Sequence, residues 1–253
     1  MRKTWDAAAS TGTDLVVGDP LRAREEVDLL LGRLGIEAVD RAVCLEVGCG
    51  PARMTVELAR RFDQVIAVDV SPLMLLRARR RLAELDIRNV TLQLVSGTRF
   101  DGISDGAADV VVSYETLQHL PTRRLVGRYL AEFVRVLAPS GQAVVQIPVL
   151  EAGGRARLWR LARAVATPTI ACFSRSVLAS PAYRGSRLTP YELRAALDRA
   201  GARVVTVTAG RDWRVGNSSF THCHEIFLRF ERAPASVFEP AASRARLRRA
   251  ATR

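Results

Sequence analysis

Residues 43–50, Val43-Cys44-Leu45-Glu46-Val47-Gly48-Cys49-Gly50, carry an apolar run through one acid into two glycines one residue apart. Such a run describes a buried strand delivering the chain into a tight turn. Glycine accepts positive φ and, lacking a Cβ, lets backbone approach a ligand closely, so a nucleotide-like molecule is the natural occupant. The dinucleotide fingerprint would place a third glycine where Arg53 stands, after Pro51 and Ala52, so the pair alone also fits a plain strand-to-helix turn.

The next segment says more. Met54, Leu58 and Phe62 recur at helical spacing over 53–62, and Val65-Ile66-Ala67-Val68-Asp69 forms a second apolar run ending in an acid. This is a βαβ unit. Asp69 falls about twenty residues past the glycines, where such a unit presents a carboxylate to ribose hydroxyls. Capping of the next helix does not require Asp69, since Ser71-Pro72 supplies an N-cap and a first helical residue.

Taken in order, these pieces resemble the class I S-adenosylmethionine-dependent methyltransferases. Leu45 to Gly50 match the first cofactor motif and Val68-Asp69-Val70-Ser71 the second. Asp109 to Ser113, followed by Leu117-Gln118-His119-Leu120-Pro121, match the fourth strand and its loop. Arg135 to Gln142 match the turn into the fifth strand, with Ser140 where glycine is usual. The likeness covers residues 40–148 well and the remainder loosely.

It implies S-adenosyl-L-methionine as cofactor. Glu46 would fix the turn and the methionine end, with Gly48, Cys49 and Gly50 lining it. Asp69 would take the ribose hydroxyls and Val70 the adenine face, while Ser113 would lie at the cofactor edge. The stretch Val95 to Phe100 lacks the acid that often receives the adenine amino group, which leaves Thr98 or backbone for that bond. Because the sulfonium already activates the methyl group, the protein chiefly has to align a nucleophile with it. For a hydroxyl acceptor a positioned histidine would help, and His119 and His222 are the candidates.

Strands are expected near 43–47, 65–69, 90–95, 109–113 and 142–147, with helices near 21–34, 53–62, 72–85 and 122–137. This alternation predicts an α/β, Rossmann-like, doubly wound sheet with helices on both faces. A helix from Thr189-Pro190 to Gly201 and strands at 203–208 and 224–230 complete seven strands, the last antiparallel by the family resemblance. The expected organisation is one domain over 1–232. It comprises an N-terminal helical segment (1–40), a cofactor core (41–148), a substrate-side insertion (149–188) and C-terminal elements (189–232). A basic tail, 233–253, is expected to be mobile. The insertion and the loop 210–220, with Arg211, Trp213, Asn217 and Phe220, would roof the substrate.

Composition narrows the alternatives. The chain has 253 residues, 48% of them hydrophobic, enough for a substantial core. No apolar stretch reaches bilayer length and no signal-peptide h-region is evident, so a cytoplasmic protein without a membrane span is expected. The four cysteines show no C-x-x-C spacing, so neither a metal site nor a disulfide framework is indicated. A net charge of +12 would suit nucleic acid, yet Lys3 is the only lysine and arginines are spread along the whole chain. No base-methylation motif accompanies them, so a nucleic-acid partner is not expected. The reading is a biosynthetic methyltransferase acting on oxygen or nitrogen, less readily carbon, of a small molecule; a homodimer is compatible with it. RNA or protein methylation, an NAD-dependent oxidoreductase and a non-catalytic nucleotide-binding protein are the alternatives.

Overall fold

The computed structural model describes residues 1–10, 20–33, 35–36, 42–150, 185–209 and 223–234. Seven strands form one sheet in the order β3-β2-β1-β4-β5-β7-β6. They are β1 (Val43–Val47), β2 (Gln64–Asp69), β3 (Val90–Leu94), β4 (Ala108–Ser113), β5 (Leu137–Leu150), β6 (Ala202–Ala209) and β7 (Cys223–Arg232). The first five pair in parallel, and β7 runs antiparallel to both β5 and β6. The expected topology therefore holds. β1 and β4 are buried almost throughout, as continuous apolar runs in a two-sided sheet require.

The helices among the described residues are α1 (Arg2–Ser10), α2 (Ala23–Arg33), α3 (Thr55–Ala59), α4 (Pro72–Glu84), α5 (Arg123–Val136) and α6 (Pro190–Ala200). Residues of α2 and α3 pack with β1 and β2 in one apolar cluster, and α5 and α6 pack with the central strands in another. Local chemistry sets several ends. Ser71 caps α4 by accepting from the Met74 amide (3.1 Å), with Pro72 behind it. Thr189 and Glu192 form a capping box on α6, and Gly201 ends that helix at φ +74°.

Two expectations change. The helix expected over 53–62 is only Thr55–Ala59, because Gly50 (φ +52°) and Ala52 (φ +65°) keep the preceding turn non-helical. β5 starts directly after α5 at Leu137, with a register shift against β4 between Ala108 and Val110. The loose connection after β3 is held from α5. There Arg135 Nη1 donates to the Ile103 carbonyl (2.8 Å) and to Asp105 (2.6 Å).

Candidate active site at the carboxyl edge

The parallel strands place the ends of β1, β2, β3 and β4 along one edge, where α/β sheets bind ligands. Gly48 and Cys49 both donate to the Val68 carbonyl (2.9 and 3.1 Å), which seats the glycine turn on the end of β2. Gly48 has φ +82°, and a Cβ there would stand 2.2 Å from Thr116 Oγ1. Thr116 in turn donates to the Val47 carbonyl (3.0 Å), so the loop after β4 lies against the turn. Gly48→Ala should therefore lose about 1–2 kcal/mol from backbone strain alone, before the clash is counted. Chemical denaturation of the variant measures it.

Asp69 closes the other side. Its Oδ2 accepts from the Gly50 amide (3.0 Å) and its Oδ1 from the Ser71 amide (2.8 Å), so one carboxylate joins both turns. Burial pushes its pKa up. The amides of Ser71, Gly50 and Val70 oppose that, and the Asp6 carboxylate adds to it. Spare lone pairs still allow a carboxylate so placed to accept from a diol.

Glu46 is 5% exposed, and among the described residues its Oε2 has no hydrogen-bond partner. Burial raises its pKa from 4.5 to about 7. The Thr55 hydroxyl and the Arg53 guanidinium pull downward, while Asp69 pushes upward. A buried carboxylate oxygen left unpaired beside a turn with no room for a Cβ fits a ligand that brings an ammonium donor, as the methionine end of S-adenosylmethionine does.

Val70 is half-buried. Its Cγ1 and the Met1 Cε would each lie 3.0 Å from a Cβ at Gly97, so an apolar spot sits where the adenine is expected. Thr98 is exposed, 3.2 Å from the Ser96 hydroxyl. One residue beyond Phe100, Asp101 Oδ2 accepts from the Ser96 amide (3.3 Å), adding a carboxylate to the loop after β3. The Ser96 hydroxyl is the leading cause that lowers the Asp101 pKa. Cys49 is buried, its Sγ 3.7 Å from the Gly50 carbonyl. Ser113 is fully buried and donates to the Val47 carbonyl (3.3 Å), tying β4 to β1.

His119 ends a 3-10 turn, Leu117–His119, in the loop after β4. Its ring meets Trp5 edge to face, with centroids 4.8 Å apart. Trp5 belongs to α1, within the expected N-terminal helical segment 1–40. Asp6 of the same helix accepts from the Ser71 hydroxyl (2.6 Å), and Ala8 and Ala9 pack on Met74. α1 thus touches the loops after β2 and β4, with Met1 just before it beside the loop after β3. His222, the loop 210–220 and residues 151–184 of the insertion fall outside the described residues, as does the tail from 235. The insertion's ends are described: the Leu150 amide donates to the Leu188 carbonyl (2.8 Å).

Residues 44–141 match the family described as "Methyltransferase domain". An uncharacterized methyltransferase of Mycobacterium tuberculosis is 30% identical over 150 residues, covering 58% of this chain and 70% of that protein. The chain belongs to the class I S-adenosylmethionine-dependent methyltransferase family. Trans-aconitate 2-methyltransferase of Methylobacterium radiotolerans is 34% identical to this methyltransferase over 121 residues, 47% of the chain and 42% of that protein. The counterpart in Methylobacterium nodulans is matched over 50% of its length, so the chain spans half or less of these two relatives. Among solved structures, geranyl diphosphate C-methyltransferase from Streptomyces coelicolor shares the fold with a TM-score of 0.61 at 14% identity, covering 83% of this chain and 78% of that one. A sarcosine dimethylglycine methyltransferase from Galdieria sulphuraria gives 0.60 at 16%, covering 84% and 86%. S-adenosyl-L-methionine is the cofactor of this family, and no helix among the described residues is long and apolar enough to cross a membrane.

Proposed function

We propose that this methyltransferase acts on an oxygen or nitrogen of a small molecule, in a cytoplasmic biosynthetic reaction. Supporting this is α1, which lies over the cleft with Trp5 against His119 and Asp6 on Ser71. An edge roofed by a helix at this distance suits a small acceptor better than a duplex or a folded protein surface. The fold alone does not choose the acceptor atom, since the similar structures include one named for carbon methylation and one named for sarcosine and dimethylglycine.

When bound, the cofactor supplies an electrophilic methyl group on a sulfonium. In this reading Glu46 accepts from the ammonium of the methionine end. Gly48, Cys49 and Gly50 line it with backbone, and Asp69 accepts from the ribose hydroxyls. Val70 covers the adenine face, and Thr98 or Asp101 serves its amino group. The His119 imidazole takes the proton of a hydroxyl acceptor; in the free protein its Nε2 lies 3.3 Å from the Gln118 amide nitrogen, a donor the substrate would displace. His222 is the second candidate base.

His119→Ala should lower kcat on a hydroxyl acceptor by about 10²–10⁴ and leave cofactor affinity within about twofold. An amine acceptor that is neutral at the reaction pH would show a far smaller loss. Incubation with methyl-labelled cofactor, a panel of hydroxy-, carboxy- and amino-metabolites, total RNA and denatured protein tests the acceptor class. Label is expected in the small-molecule fraction; transfer to RNA or protein alone would overturn the proposal.

A further inference from the structure

Arg53 stands where a dinucleotide site would have its third glycine, and it is the only arginine among the buried described residues, at 5% exposure. Its Nη1 pairs with Glu26, itself buried, on α2. Its Nη2 lies 3.8 Å from Glu115 Oε2, and its guanidinium carbon is 5.8 Å from the centre of the Tyr114 ring. One guanidinium, carried by the turn before α3, therefore touches α2 and the loop after β4. Glu115 holds a left-handed conformation, φ +51°, with its amide donating to the buried Gln146 Oε1 (2.7 Å). A non-glycine residue keeps such a backbone only where its surroundings over-determine it.

We propose that Arg53, anchored by Glu26, is a positioning residue that fixes the acceptor-side loop at Glu115 against the cofactor turn at Glu46. A buried ion pair is weak evidence for stability, because desolvation offsets the attraction and apolar replacements often fold as well. What such a pair supplies is a fixed geometry, and here three separate segments converge on it. The guanidinium also acts on Glu46, favouring its ionised form. The other groups facing Glu46 are the Thr55 hydroxyl from α3, Asp69 from β2 and the thiols of Cys44 and Cys49. Arg53 is the one cation in that set. The electrostatic part of this inference rests on the reading of Glu46 as the group that takes the cofactor's ammonium, whereas the mechanical part does not.

The test is the double variant Glu26→Met/Arg53→Met in the full chain. Both partners become apolar, so a merely structural role would be largely restored. We expect a melting temperature close to wild type, S-adenosylmethionine affinity about tenfold lower at pH 7.5, and the midpoint of its pH dependence displaced upward. Amide exchange over residues 114–119 should be faster. If the double variant does not fold, Arg53→Lys serves: the charge and the midpoint stay, but one ammonium cannot reach both carboxylates and exchange over 114–119 still quickens. A folded variant with wild-type exchange in that loop overturns the inference. If wild type itself binds no S-adenosylmethionine, the cofactor reading fails and the exchange measurement alone judges Arg53.

Discussion

Glu46→Gln makes the free protein more stable at pH 8 while weakening its hold on S-adenosylmethionine. The carboxyl is buried with Oε2 unpaired among the described residues, and burial raises its pKa from 4.5 to about 7. Below about pH 4.5 folded and unfolded chains both hold the proton, so ionisation costs nothing. Between 4.5 and about 7 the unfolded chain releases it first, and stability falls as pH rises. Above about 7 the loss is complete, on the order of 3 kcal/mol, since each tenfold change in proton affinity is worth about 1.4 kcal/mol. Glutamine removes the charge but buries an amide, so a net gain of on the order of 1–2 kcal/mol is expected. Urea denaturation of both proteins at pH 5 and pH 8 checks it: the gain should be present at pH 8 and absent at pH 5. The ammonium of the bound cofactor favours the ionised carboxyl, so wild-type affinity should climb across pH 5–7 and then level, with proton uptake by buffer visible in calorimetry. In Glu46→Gln that slope disappears.

Asp69→Ala should weaken S-adenosylmethionine binding by roughly 1.5–3 kcal/mol, the range for hydrogen bonds to a charged group, or about ten- to hundredfold. The same carboxylate holds the Gly50 and Ser71 amides, so the substitution also loosens both turns. Asp69→Asn is the milder test. Its single carbonyl oxygen can keep one of the two backbone amides while its NH2 faces the other, so it should cost less stability than alanine and still lose affinity. An asparagine variant with wild-type affinity would remove Asp69 from the ribose.

The sheet is readable in the sequence because its central strands are continuous apolar runs with few other ways to be buried. Val43–Val47 and Gln64–Asp69 lie within a residue of their expected limits. Periodicity overestimates α3 because Met54 and Phe62 keep helical spacing although neither lies in the helix; the positive φ at Ala52 leaves no sequence signal. α1 is weakly marked because its buried face is made of the small Ala8 and Ala9, with Trp5 the one large apolar residue packed beside them. Glu46 and Asp69 are legible through their place after apolar runs. Ser113 shares that place, but its hydroxyl turns into the sheet toward Val47. Arg53 is visible only as an absent glycine. Its partner Glu26 lies 27 residues earlier on another element, a separation that no local pattern reports.

Isothermal titration of the wild-type protein at pH 7.5 with S-adenosylmethionine, S-adenosylhomocysteine and NAD, repeated with Asp69→Asn, tests the cofactor site most directly. Binding of both sulfur compounds, none of NAD, and a clear loss in the variant are the predicted results. NAD binding without either sulfur compound, or equal affinities in variant and wild type, would contradict a methyl-donor site built on Glu46, the glycine turn and Asp69.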